Sequence, residues 1–195
     1  MAKQPTSERI FEAARSLFDL EGEKGLSMRR IAAAVGITPM AIYKHFSDKD
    51  ALLNALMLDG FAAWEGRVAQ IDSPDLVTWL EALAGAFLDF SICEPHRYEA
   101  AFVLNASQAR RYPEDFAGDR SPVMREVYRR IAEASAGKPL ADGASTAEFG
   151  LALAGLCQGL VTMNRAGRFS SEEEFRTSYT RAVEHCIKSY ITEMR

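Results

Sequence analysis

The 195-residue sequence predicts an all-α protein of about nine helices, a three-helix N-terminal domain followed by a larger helical one. Three observations carry that expectation. No stretch alternates apolar and polar residues over a strand's length between hairpin turn signals. Apolar residues recur instead at helical spacing, as in Ile10, Ala14, Leu17 and Phe18, which form one stripe. Helix-start chemistry is also repeated along the chain, at Thr38-Pro39, Ser47, Ser73-Pro74-Asp75 and Glu94-Pro95.

Taken in order, the first helix should begin after Thr6, with Glu8 in the first turn, where a carboxylate faces unpaired backbone N–H groups. GEKG at 22–25 ends it. Ser27 is placed to cap a second helix, MRRIAAAV, which Gly36 can close in the left-handed conformation. Thr38 should cap a third helix whose first position is Pro39, a residue with no N–H to leave unpaired. Ser47 should cap the fourth, with Asp50 as the acid of a capping box, and that helix should run to about Ile71. A fifth helix is expected from 73–76 to about Cys93, and a sixth near 95–109 after Glu94-Pro95. Residues 110–122 are polar, with two prolines and a glycine, and predict a loop. A seventh helix should reach about Ala136. After a second loop at 135–145, two long helices are expected at 147–167 and 172–192. The domain border is expected between residues 50 and 51.

Composition narrows the function classes. With 48% hydrophobic and 26% charged residues the chain should fold as a soluble globular protein rather than remain disordered. The N-terminus has no apolar run after its early Lys3, so no leader is expected. The most apolar stretch, residues 149–163, contains three glycines and Gln158 and is shorter than the roughly 20 residues a bilayer crossing needs. A cytoplasmic protein with no membrane partner is expected. Cys93, Cys157 and Cys186 lie in no CxxC or Cys/His spacing, as suits reduced thiols in or near a core. His96 and His185 stand alone, without metal-ligand spacing. No nucleophile elbow, phosphate loop, dinucleotide fingerprint or HExxH is present. Neither a catalytic site, a metal nor a cofactor is therefore expected.

The net charge of −4 taken as an average argues against a polyanionic partner, but it is unevenly distributed. From Lys24 to Lys49 there are five bases and one acid, a local +4, so the rest of the chain sums to −8. A small basic patch on an acidic body suits a protein that meets phosphate with one surface.

That patch coincides with the signature of a helix-turn-helix. Ala32, four before Gly36, is small enough for two helices to cross. Gly36 makes the turn, and Ile42 can pack back against Ile31, Val35 and Ile37. Thr38, Pro39, Met40, Ala41, Tyr43, Lys44 and His45 are then left on or beside the outer face of the third helix. A short helix free of acids can enter a major groove about 12 Å wide without repelling phosphate. Hydroxyls of Ser27 and Thr38, with Tyr43, Lys44 and Lys49, offer phosphate contacts, and Arg29 or Arg30 can reach phosphate or a guanine edge.

Residues 10–57, and above all the pattern G-[IV]-[ST]-x-x-x-[IL]-Y-x-[HY]-F-x-x-K-x-x-L from Gly36 to Leu52, resemble the TetR/AcrR repressors. The resemblance implies a three-helix DNA-binding domain, a six-helix regulatory domain, a homodimer formed by the last two helices, and repression of an operator in double-stranded DNA that a small effector relieves. It implies phosphate contacts at Ser27, Tyr43 and Lys49, and base contacts at Thr38, Pro39, Met40 and Lys44. Met40 departs from the small residue common at its position, although it or Ala41 could meet a thymine methyl.

The remainder matches that family more loosely. Gly155 and Gly159, four apart, allow close approach of a partner helix, and Met163, Tyr179, Val183 and Ile187 extend the expected dimer face. An apolar effector would be lined by aromatic residues such as Phe61, Trp64, Phe87, Phe90, Tyr98, Phe102 and Tyr128, with Asn105, Gln158 and Thr162 as orienting polar groups. Any one of these aromatic residues is more often plain core, and the polar ones could as well pair across the dimer. An activator, or a helical carrier or enzyme with a vestigial DNA-binding domain, remains open on the sequence.

Overall fold

In a computed structural model the chain is described over residues 4–136 and 140–191. Part of the expected 135–145 loop and Thr192 of the expected last helix lie outside the described residues. Among those described there are ten α-helices and no strand. They are α1 (Thr6–Glu21), α2 (Met28–Val35), α3 (Pro39–Ile42), α4 (Lys49–Val68), α5 (Leu76–Cys93), α6 (Pro95–Phe102), α7 (Glu114–Ala117), α8 (Pro122–Ser135), α9 (Thr146–Arg165) and α10 (Glu172–Ile191). Short 3-10 turns lie at Gly22–Gly25 and Ala141–Gly143.

The helix beyond the expected nine is α7, a single turn inside the segment expected to be loop. Its first turn holds Glu114 and Asp115, and the Asp115 carboxylate accepts the Arg111 N–H at 2.8 Å, which anchors the turn. The sixth helix is shorter than expected. After Phe102 the N–H groups of Val103 and Leu104 both turn back to the Glu99 carbonyl, and the chain leaves the helix.

By packing, the chain forms two compact units, residues 1–64 with 94–109, and residues 65–93 with 110–195. A packing border lies within α4. The reason is the inner face of α4: Leu52, Leu53, Leu56, Met57 and Phe61 are buried in one cluster with Ile10, Ala14 and Phe18 of α1 and with Ala100 and Ala101 of α6. A Cβ on Gly60 of α4 would lie 2.6 Å from the Arg97 carbonyl oxygen of α6. Only glycine admits so close a backbone approach there.

The start of α4 also differs from expectation. Asp48, not Ser47, caps it, its carboxylate accepting the Ala51 N–H at 2.7 Å while the Ser47 hydroxyl donates to the same side chain. Asp50 is used elsewhere. Its carboxylate accepts the backbone N–H of Ser107 at 3.1 Å, the Ser107 hydroxyl, and the Asn54 amide at 3.0 Å. Buried Asn54 in turn accepts the Gln108 N–H at 3.1 Å. Two side chains of α4 thereby hold the segment that follows α6.

In the second unit α5 buries Trp79, Leu80, Leu83, Phe87, Leu88 and Phe90. Asp75 caps α5, accepting the Thr78 N–H at 2.8 Å. Helices α8, α9 and α10 pack with α5. The Tyr128 ring of α8 fills the place of a side chain at Gly150 of α9, where a Cβ would lie 2.5 Å from it. Helix α9 opens with a capping box in which Ser145 and Glu148 satisfy each other's N–H groups. By length and composition alone α5 and α9 could cross a membrane, so brevity does not exclude α9 as the 149–163 stretch suggested. Both, however, contribute core to this unit through Trp79, Phe90, Phe149, Leu153, Cys157 and Val161.

Candidate nucleic-acid interface

Helix α2 and the short α3 meet at a tightly specified turn. Ser27 caps α2, its hydroxyl accepting the Arg30 N–H at 3.1 Å. Gly36 ends α2 with φ 75° and ψ 37°, and the Gly36 and Ile37 N–H groups return to the Ala33 and Ala32 carbonyls, a left-handed closure that glycine makes at no steric cost. Arg9 of α1 covers the end of α2 by donating to the Val35 carbonyl at 2.6 Å. Ala32 and Ile42 are buried, as are Ile31 and Val35, so the junction is closed by the expected residues.

Thr38 takes the N-cap position of α3 through its backbone only. Its side chain makes no capping bond, because the Ala41 N–H reaches the Thr38 carbonyl at 2.9 Å and Pro39 has no N–H to satisfy. Thr38 is exposed. Helix α3 itself is one turn, continued by the His45 and Phe46 N–H groups onto the Ile42 carbonyl. Around it Thr38, Pro39, Met40, Tyr43, Lys44 and His45 are exposed, and Ala41 is half-buried. Met40 is 73% exposed.

The cations divide into two sets. Arg29 and Lys44 are exposed and make no ion pair among the described residues. Arg30 and Lys49 are engaged. The Arg30 guanidinium bonds both carboxylate oxygens of Glu21, at 2.5 and 2.7 Å, and the Gly25 carbonyl at 3.1 Å. Its hydrogen bonds hold the Glu21 carboxyl below the usual carboxylate range. Lys49 Nζ lies 3.2 Å from Glu23 Oε1. Both acids fall outside the 24–49 window that gave +4. Counted from Glu21 to Lys49, five bases meet three acids, a net +2.

The expected effector residues are divided by the packing. Phe61, Trp64, Tyr98 and Phe102 belong to the first unit, where Phe102 stands 5.4 Å from Phe61, 6.1 Å from Trp64 and 5.5 Å from Tyr98, centroid to centroid. Asn105 is an exposed residue of the same unit. Phe87 and Phe90 are core of the second unit, and Thr162 is exposed, donating to the Gln158 carbonyl at 2.8 Å. Asn105 and Thr162 therefore lie at the surface, not among buried aromatic rings. The Tyr128 hydroxyl is buried with no hydrogen-bond partner among the described residues.

The dimer stripe needs a larger correction. Tyr179, Val183 and Ile187 are at most 3% exposed within a single chain, and the Tyr179 hydroxyl donates to the Ala84 carbonyl of α5 at 2.9 Å. They are the inner face of α10. Gly155, Gly159 and Met163 are exposed, with Leu151, along α9. Cys157 is buried on the opposite side, and burial pushes its thiol up to about 11. Cys93, expected in or near a core, is exposed. No group of three metal-ligating side chains occurs among the described residues.

The turn, its outward residues and the helical second unit define a helix-turn-helix protein. Two family models match it, bacterial regulatory proteins of the tetR family over residues 10–56, and the tetracyclin repressor-like C-terminal domain over residues 80–186. The chain belongs to the TetR family, whose members are transcriptional regulators and not enzymes. Over 55 residues it is 42% identical to the HTH-type transcriptional regulator UidR of Escherichia coli K12, 28% of each chain. It is 26% identical over 139 residues to the HTH-type transcriptional regulator Rv1816 of Mycobacterium tuberculosis, covering 67% of this chain and 58% of that one. The chain thus matches between about a quarter and three fifths of the length of these curated relatives. Among solved structures, a protein of unknown function from Rhodococcus sp. RHA1 superposes with TM-score 0.70 at 25% identity, over 94% of this chain and 95% of that one. A TetR variant from Acinetobacter baumannii in complex with minocycline superposes with TM-score 0.68 at 17% identity, over 99% of each.

Proposed function

We propose that the protein is a homodimeric transcriptional repressor in the cytoplasm that binds a near-palindromic DNA operator and is released by a small, apolar effector. The observation that carries the reading is the outward face at 38–45. It is exposed, free of acids, capped by Met40 and Lys44, and held on a rigid three-helix core. Such a face fits a major groove. Residues 1–50 would carry the DNA contacts, Arg29 and Lys44 directly and Arg30 and Lys49 after release from Glu21 and Glu23.

Two-fold operator symmetry follows if two copies join through the exposed side of α9, where Leu151, Gly155, Gly159 and Met163 lie in register. The apolar class is supported by the aromatic content of the second unit, and control by a small molecule by the minocycline bound to the A. baumannii structural neighbour. Helix α4 is continuous across the packing border. An effector that favours one tilt of α4 would change half-site spacing by population shift.

The test is selection from a random double-stranded DNA pool by the purified protein, followed by titration of the winner against salt. A two-fold symmetric consensus with a steep salt dependence is expected. Lys49→Ala should weaken binding to all sequences alike and flatten the log–log salt slope by ~1 per subunit. Enrichment of no sequence would defeat the reading.

A further inference from the structure

We infer that Glu21 and Glu23 act as built-in competitors of DNA phosphate, holding Arg30 and Lys49 until phosphate displaces them and so setting the strength and salt dependence of binding. This rests on the DNA-binding reading above. The geometry at Arg30 is a fork. Nη1 and Nη2 each bond one oxygen of the Glu21 carboxylate, and Nη1 also bonds the Gly25 carbonyl. A phosphate would take that same two-donor face, so carboxylate and phosphate exclude one another.

The backbone accommodates the arrangement. A Cβ on Gly25 would lie 2.6 Å from Glu21 Cβ and 3.0 Å from the Leu17 carbonyl oxygen. The glycine therefore lets the turn after α1 fold closely against the end of that helix, beside the fork. A second pair does the same for Lys49, whose ammonium is 3.2 Å from Glu23 at the first residue of α4. In both pairs each side chain is between 44% and 48% exposed. Ion pairs this exposed are weak and screened by salt, which allows a polyanion to replace the carboxylate. Two independent acids on two of the expected phosphate ligands, in a patch otherwise free of acids except the capping Asp48, make a pattern that a brace at one site would not need.

The experiment compares wild type with Glu21→Gln, Glu23→Gln, Arg30→Ala and Glu21→Gln/Arg30→Ala on the selected operator, each with a thermal melt. The expected result is several-fold tighter binding by each single variant, a salt slope steeper by ~1 per subunit, unchanged melting, and loss of the Glu21→Gln gain once Arg30 is removed. Unchanged or weaker binding with normal melting would overturn the proposal, as would a gain that survives removal of Arg30. A large fall in melting temperature for both glutamine variants would show the pairs to be braces and also overturn it. If Glu21→Gln alone fails to fold, Glu23→Gln decides. A wild type that retains no DNA defeats the DNA-binding reading and this proposal together, whereas a binding wild type with no gain defeats the proposal alone.

Discussion

Gly36 shows how much one residue can decide. Its φ of 75° belongs to the left-handed region, and a Cβ built there meets nothing within 4 Å. Gly36→Ala therefore adds backbone strain and no clash, and should cost about 1–2 kcal/mol in chemical denaturation. A cost near zero would mean that the turn relaxes. Gly36, Ala32 and Ile42 were legible in the sequence because each answers a constraint local to one turn. Arg30 and Lys49 were legible as cations but not as paired ones. Their partners Glu21 and Glu23 are nine and 26 positions away, and no periodicity links them. Asn54 did leave a trace, a polar residue among Leu52, Leu53, Leu56 and Met57. Asn54→Ala removes the acceptor of the Gln108 N–H and a donor to Asp50, and should lower stability by about 1–3 kcal/mol in urea titration.

At the scale of elements, the expected helices were found wherever caps and periodicity agreed, and the differences arose where two nearby residues competed for one task. Asp48 took the cap assigned to Ser47, and Asp50 was drawn off to Ser107. In the second unit α8 joins the start of α5 through Arg130, which lies over the Trp79 ring at 4.5 Å and donates to the Ser73 carbonyl at 2.7 Å. Hydrogen bonds from Arg129, and then from Arg130, hold the Glu126 carboxyl at about 2, below its ordinary 4.5. A carboxyl with a depressed folded value stabilises fully above the ordinary one. That contribution is lost as pH falls from about 4.5 towards about 2, because the unfolded chain takes up the proton first. Wild type should therefore lose stability across this window, and Glu126→Gln should flatten the loss in melts taken from pH 5 to pH 2. An equally steep profile in the variant would assign the acid sensitivity to other carboxylates.

For the molecule as a whole, helical periodicity identifies which side chains share a face but not what covers that face. The stripe Tyr179, Val183, Ile187 has the spacing of an interface, yet the chain's own α5 and α9 side covers it. On α9 the same spacing yields Leu151, Gly155, Gly159 and Met163, which the single chain leaves exposed. Glycines four apart bring helices together only if a second helix is present, and the space above Gly155 and Gly159 is open within the chain. Gly155→Arg thus tests assembly: a Cβ there meets nothing of its own chain within 4 Å, while the arginine would stand in the path of a partner helix, adding a buried charge that a dimer could not easily accommodate. Sedimentation should show wild-type dimers and variant monomers with similar helical circular dichroism. Operator binding should then weaken sharply, since two half-sites would no longer be held by one particle. Dimers that persist in the variant would move the interface away from this side of α9, and with it the expected spacing of the half-sites.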